Sequence, residues 1–438
     1  MKVEILSRKF IKPSAPTPDH LRQKKISLFD QLAPPSNVSL ILYYSGNGNI
    51  AGNNKRRAQL ERSLSEALTA FYPLAGRFAK DDLLVDCNDQ GVEYLEGQVD
   101  CNLDEFLLEP KIELLNHLLP SDIGIPDLIT SPLVAVQINS FNCGGLAIGV
   151  CVSHKIADAS GIVSFINGWS SASRAEMVNE AIHQPNFDLG SLFPPRTLPG
   201  LEISPPPFNS EIKIVTRRFV FNGEAITKLK AKAEAQAQIN NNGMECQPTR
   251  VEVVTAVIWK ALISAARAKH GHLRASLLTH NVNMRQKTVP PMPENSLGNF
   301  LVAAIARFSA DESKMELHDF VGLVRDAARD AVAKFAKIPV LNGDEVMLML
   351  GNLYTDLLGG LCNSEVDVRI FSSWCKFPIY EADFGWGKPA WVSLMSFPVE
   401  IVTLMDTKCG EGIEAWVSLN EQDMLHFQQD PNIVAFTC

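Results

Sequence analysis

His154 and Asp158, four residues apart in the run GGLAIGVCVSHKIADASG, are the side chains best suited in this sequence to proton-transfer chemistry. A histidine titrates near neutral pH and can act as a general base, and a carboxylate close behind can hold the loop that carries it. Spacing alone does not single the pair out. His426 and Asp430 repeat it in NEQDMLHFQQDP, and with nine histidines in the chain such a pair arises readily by chance. Context separates the two. The C-terminal pair falls in a polar stretch read as a helix that Pro431 ends, where a His–Asp pair is a surface contact of small worth. His154 instead follows an apolar run, Leu146 to Val152, read as a buried strand, and a helix begins near Ser160. Loops held by a rigid scaffold are where catalytic groups gather. A buried histidine satisfied by backbone groups is the plain structural alternative.

Other candidate chemistry is weaker. Cys151 could be a nucleophile activated by His154, but on a strand residues 151 and 153 face one way and 154 the other. The apolar run around Cys151 also keeps its thiol protonated. Ser153 diverges from the histidine for the same geometric reason, so an acyl-enzyme is disfavoured. The run Gly46-Asn47-Gly48-Asn49-Ile50-Ala51 fits G-x-G-x-x-A after a strand. A dinucleotide site needs the helix to open at the glycines and a strand with an acidic end about 20 residues on. Here the helix is read from near Lys55 and FYPLAGR follows, so a loop fits better. In YEADFGWGKPAW (380–391) two glycines flank Trp386 and let the backbone approach another chain or a ligand closely; the structural alternative is an ordinary turn. No G-x-S-x-G, P-loop or H-E-x-x-H pattern occurs.

The elements that must position these residues mix strands and helices. SLILYYS (39–45) reads as a buried strand; Leu60, Leu64, Ala67, Leu68 and Phe71 recur at helical spacing until Pro73 forbids continuation. Short strands follow around 83–86, 92–95 and 133–139. After Asp158, Ile162, Phe165, Ile166 and Trp169 mark one helix face. Seven prolines in 185–207 suit neither a helix nor a central strand and mark a stiff crossover between domains. Beyond it IVTRRFVF reads as a strand. A helix opens at the capping box Thr249-Arg250-Val251-Glu252 and ends at Gly271. Another runs roughly 315–336, and 369–419 is strand-rich.

At 438 residues the chain exceeds one ordinary core and implies two or three domains. It has 46% hydrophobic and 20% charged residues, as a globular protein does. A net charge of −9 without single-sign blocks argues against nucleic acid as a partner. The basic knot Lys55-Arg56-Arg57 reads as a solvated helix start. No apolar run approaches the ~18 residues of a membrane span, and the N-terminus lacks the apolar centre of a signal peptide. The nine cysteines, without a C-x-x-C pair, suggest neither a disulfide framework nor a zinc site, but reduced, mostly buried side chains in a cytoplasmic protein.

Taken together, the motifs resemble the plant BAHD acyltransferases, whose signatures are H-x-x-x-D in mid-chain and D-F-G-W-G near the C-terminus. They stand here as His154 to Asp158 and Asp383-Phe384-Gly385-Trp386-Gly387. FIKPSAPTP, FYPLAGR, DCNDQGVEYLEG, SLGNF (296–300) and LMDTKCGEGIEAWVSL match as well, so the resemblance spans essentially the whole chain. Flanks around both signatures look most like the vinorine synthase-like clade of alkaloid acetyltransferases. One departure is Ala159, where many members have Gly after the aspartate. If that turn needed a positive φ, Ala would cost about 1 kcal/mol.

The resemblance implies an α/β fold with mixed sheets, in two similar chloramphenicol-acetyltransferase-like domains with a channel between them. The expected division is 1–184 with the His154 loop, a crossover at 185–210, and 211–438 with the DFGWG loop, part of 360–390 packing onto the first domain. It further implies direct acyl transfer from acyl-CoA, a cosubstrate of acetyl type and not a permanent cofactor, to a hydroxyl of an alkaloid or terpenoid. His154 would be the base, Trp386 or a nearby amide the oxyanion stabiliser, and Asp383 the holder of the glycine loop in the catalytic set. Asp158 would pair with Arg285 to support the site, and Gly385 and Gly387 would contact CoA. No metal, nucleic acid or membrane partner is implied, and a monomer is expected. Alternatives are an aromatic or longer acyl donor, an amine acceptor, or a catalytically silent binding protein on the same fold.

Overall fold

The computed structural model describes residues 1–438 except 47–49, 81–82, 121–128, 179–183, 198–211, 240–246 and 438. In chain order its first strands are β1 (Val3–Ile11), β2 (Gln23–Lys25), β3 (Asn37–Tyr44), β4 (Arg77–Phe78), β5 (Leu84–Asp86), β6 (Val92–Val99), β7 (Val134–Phe141) and β8 (Leu146–Ser153). There follow β9 (Ile214–Phe221), β10 (Ala275–Asn283), β11 (Leu301–Phe308), β12 (Val366–Ser373), β13 (Trp391–Leu394), β14 (Ile401–Asp406) and β15 (Ile413–Asn420). The chain divides into two compact units. Unit 1 comprises Met1–Pro207, Pro293–Phe300 and Phe377–Ser396; unit 2 comprises Phe208–Met292, Leu301–Lys376 and Phe397–Cys438. The DFGWG loop therefore lies in unit 1, although the sequence sets it far into the second half of the chain.

Unit 1 is built on a six-stranded sheet of order β1-β6-β7-β8-β3-β13. β6 and β7 are parallel and every other pair is antiparallel. β7 and β8 are buried at every residue, which is why the run before His154 is continuously apolar instead of alternating. Two long helices, Ile50–Ala70 and Ala159–Val178, pack on each other. Trp169 is fully buried between them and donates its indole N–H to Leu60 O at 3.2 Å. A small sheet, β2-β5-β4, completes the unit. Of the expected crossover, residues 198–210 lie outside the described residues. The part before them is packed into unit 1, where Phe193 stacks on Phe300 at 5.4 Å.

Unit 2 carries a second six-stranded mixed sheet, β11-β10-β12-β14-β15-β9, with β12 parallel to both neighbours. Its core gathers around Trp259 of the Arg250–His270 helix. That helix has the expected capping box, with Thr249 accepting from Glu252 N, and ends on Gly271 at φ 77°. Pattern reading also anticipated the Leu317–Phe335 helix and β9. It did not anticipate the helices Gly223–Ile239 and Gly343–Leu361. The second is interrupted by glycines and leaves Leu348, Leu358 and Leu361 exposed, so it lacks one apolar stripe.

Candidate active site

The histidine turn is set by hydrogen bonds at both ends. β8 stops at Ser153, whose N–H reaches Leu133 O at 2.8 Å, and His154 N donates to Ser36 O at 2.8 Å. Ile156 N then folds back to Ser153 O at 3.1 Å. Asp158, fully buried, closes the turn. One carboxylate oxygen accepts from Gly161 N at 3.0 Å and so caps the Ala159–Val178 helix; the other accepts from Phe300 N at 3.1 Å. The aspartate thus ties the turn both to its helix and to the 293–300 segment of unit 1. Ala159 is the first helical residue and is not among the positive-φ positions, so the glycine usual at this place in the family is not required.

His154 is half-buried, with Nδ1 in the interior. Burial lowers its pKa below the ordinary histidine value, opposed by its own carbonyl, Asp158, Asn299 and Asp30. A ring so placed is neutral at pH 7 and able to accept a proton. Cys151 faces elsewhere: it is buried in β8 opposite Ser39, whose hydroxyl lies 2.9 Å from its sulfur. Cysteine burial in general is less than expected. Among the described residues, Cys87 and Cys151 are buried, whereas Cys362 and Cys409 are exposed.

The DFGWG loop is a packed plug. Asp383 Oδ1 accepts from Gly385 N at 2.8 Å and Gly387 N at 2.9 Å, and both glycines sit near φ 100°, where a side chain would strain the backbone. Phe384 packs edge-on against Trp169 at 4.9 Å, and its carbonyl accepts from Gln59 Nε2 and Ser173 Oγ, each at 2.9 Å. Arg174 donates to the Asp383 carbonyl. Trp386 stacks on Phe384, meets the Tyr44 ring at 6.4 Å and has the Arg56 guanidinium 5.4 Å from its ring centre. Arg56 is therefore not a solvated residue of a helix start, and its desolvation lowers its pKa.

β3 and β8 run side by side from Asn37↔Ser153 to Tyr44↔Leu146, a length of ~24 Å at ~3.4 Å per residue. His154 is anchored at the first end and Trp386 packs at the other, on the order of 20 Å away. The Gly385 and Gly387 amides both donate to Asp383.

The decoys resolve as well. His426 is exposed at the end of the Glu421–Phe427 helix, while Asp430 caps a separate helix, Pro431–Phe436, by accepting from Asn432 N at 2.8 Å. Pro431 opens that helix instead of ending one. The Gly46–Ala51 loop falls mostly outside the described residues, at 47–49. The following helix starts at Ile50, earlier than expected, but Tyr72–Ala75 is a 3₁₀ turn where a dinucleotide fold needs a strand. Arg285 is buried in unit 2 and donates to Asn283 Oδ1 at 3.0 Å. Among the described residues no three His, Cys, Asp or Glu side chains converge as a metal site. Nor is any described helix long and apolar enough to cross a membrane.

The sequence pattern of the Transferase family matches residues 1–434. The chain belongs to the BAHD family of transferases. It is an acyltransferase. Among BAHD relatives it is 38% identical to a limonoid 21-O-acetyltransferase of Melia azedarach, over 100% of this chain and 98% of that one. It is 35% identical to an acetyl-CoA-benzylalcohol acetyltransferase of Clarkia breweri, with both chains fully covered. The crystal structure of vinorine synthase superimposes with a TM-score of 0.81 at 33% identity, covering 100% of this chain and 98% of that one. The two-domain α/β BAHD fold is therefore the fold of this chain.

Proposed function

We propose that this acyltransferase moves an acetyl group from acetyl-CoA to a hydroxyl of a plant specialised metabolite, a terpenoid or alkaloid alcohol, with His154 as general base. The observation that carries the role of His154 is its setting: a neutral, half-buried imidazole at the end of a rigid strand, with Nδ1 buried. Its other nitrogen, Nε2, takes the acceptor's hydroxyl proton as that oxygen attacks the thioester carbonyl. The tetrahedral intermediate then collapses, the carbon–sulfur bond breaks, and the imidazolium returns the proton to the departing CoA thiolate. Acetyl transfer to an alcohol is supported by the names of the limonoid and benzylalcohol relatives.

Asp158 serves as anchor, and its pairing with Arg285 is part of the proposal. The DFGWG plug supports the fold of unit 1 without touching substrate. The enzyme works as a cytoplasmic monomer. Thioester consumption is the test, with acetyl-CoA and longer acyl-CoAs offered against pooled terpenoid and alkaloid alcohols. Wild type should release CoA in an acceptor-dependent way and His154→Ala should not; equal release by both with every acceptor would refute the base assignment. Intact mass after incubation with acyl-CoA alone should show no adduct. One mapping to Cys151 would overturn direct transfer.

A further inference from the structure

A buried carboxylate stands behind the histidine and does not touch it. Asp30, in the Leu28–Leu32 turn of helix, is buried and accepts from Ser27 N at 2.8 Å and Ser27 Oγ at 2.7 Å on one oxygen. Its other oxygen accepts from Asn299 N at 2.6 Å and Asn299 Nδ2 at 2.8 Å. Asn299 Nδ2 also donates to the His154 carbonyl at 2.7 Å. Gly298 makes this approach possible: it sits at φ 125°, and an added Cβ would come within 3.3 Å of Asp30 Oδ2.

These contacts fix which way the Asn299 amide faces. Its NH2 group has two hydrogens and meets two acceptors, the Asp30 carboxylate and the His154 carbonyl, so the amide cannot be turned over without setting oxygen against oxygen. The Oδ1 atom must then point away from Asp30. It is buried with no hydrogen-bond partner, and so is His154 Nδ1. Nδ1 lies in the field of acceptors, its own carbonyl and Asn299, which favour a proton on it, while burial opposes a charged ring.

We propose that Asn299, oriented by Asp30, is a positioning residue that holds the proton of neutral His154 on Nδ1 and leaves the Nε2 lone pair for the acceptor. The inference rests on His154 being the base. A hydrogen bond from Nδ1–H to Asn299 Oδ1 would satisfy both orphaned atoms at once. With the tautomer reversed, Nε2 carries a hydrogen and cannot accept one, so the base is present but mute.

The test is the tautomer itself. Protein labelled with [15N]histidine, held above the titration of the ring, should show Nδ1 protonated and Nε2 bare for His154, assigned by the signals lost in His154→Gln. A wild-type ring protonated on Nε2 would overturn the proposal, and this measurement needs no variant to fold. Asn299→Leu removes the acceptor, and Asp30→Asn lets the amide turn over. Each should lower kcat at least about tenfold, toward the ~10²–10⁴ a general base contributes, with KM for acyl-CoA within about twofold. Each should also mix or reverse the tautomer signals. Folded variants with wild-type kcat and wild-type tautomer would sink the idea. An active His154→Gln would instead defeat the base assignment, a distinguishable result.

Discussion

Replacing Asp158 by Asn should separate anchoring from catalysis. The aspartate offers two oxygens to two backbone donors, Gly161 N at 3.0 Å and Phe300 N at 3.1 Å, in a fully buried place. An asparagine has one oxygen. Whichever way it turns, its NH2 faces one buried N–H, and an unsatisfied buried donor costs about 1–3 kcal/mol. Alanine loses these two hydrogen bonds, the helix cap worth ~0.5–2 kcal/mol and a hydrogen bond to a charged group worth ~1.5–3 kcal/mol, so at least about 2–5 kcal/mol. Stability should therefore fall in the order wild type, Asp158→Asn, Asp158→Ala, measured by denaturant unfolding followed through tryptophan fluorescence. Activity should fall with it. The histidine is four residues away on the same turn, and a displacement of about 1 Å can cost ~10² in rate. Asp158→Asn with wild-type stability and a hundredfold lower kcat would refute anchoring and make the carboxylate a participant in the chemistry. Wild-type values of both would leave it no role.

Three further outcomes follow from the geometry. The acid limb of kcat/KM should lie below pH 6.5, because burial depresses the His154 pKa and the base stays unprotonated further into acid; a limb above 6.5 in the pH–rate profile would contradict this. Trp386→Phe should keep kcat near wild type while lowering the thermal midpoint; a loss of ~10²–10³ in kcat would restore an oxyanion role. Burial pushes the His280 pKa down to about 4. The unfolded ring protonates first, so its contribution is intact above pH ~6.5 and lost as pH falls toward ~4, by roughly 3 kcal/mol. His280→Phe should lessen the acid loss of stability in urea melts across that window, and an unchanged pH slope would exclude His280 as its source.

Much of this was legible because it was local. Leu146 to Val152 announces a strand buried on both faces, and Thr249 with Glu252 announces a helix start, since the hydrogen bonds involved span three residues. Both H-x-x-x-D aspartates turn out to be helix caps, Asp158 and Asp430 alike, so the spacing reports a turn entering a helix and not a dyad. What distinguishes the histidines is long-range. The partners of the first, Ser36 and Asn299, lie over a hundred residues away on either side. SLGNF was visible as a family run, yet nothing in it says that Gly298 clears the path by which Asn299 meets Asp30. The surroundings of the DFGWG motif are set over a similar range: its glycine amides donate to Asp383 close by, but Trp386 packs on Tyr44, at the end of β3.

Unit 1 is completed late. Its sheet needs β13 on the outer edge of β3, and its histidine turn needs the donors of Asn299 and Phe300. On the ribosome, the first 207 residues emerge with Asp30 and Asp158 short of the donors that arrive at Asn299 and Phe300, and with β3 open on one side until β13 has been made. A cut after residue 207 would therefore part unit 1 from its own segments at 293–300 and 377–396. A chain stopped in the middle is left with an exposed strand edge and buried carboxylates awaiting their donors, a product for chaperones and proteases and not half an enzyme.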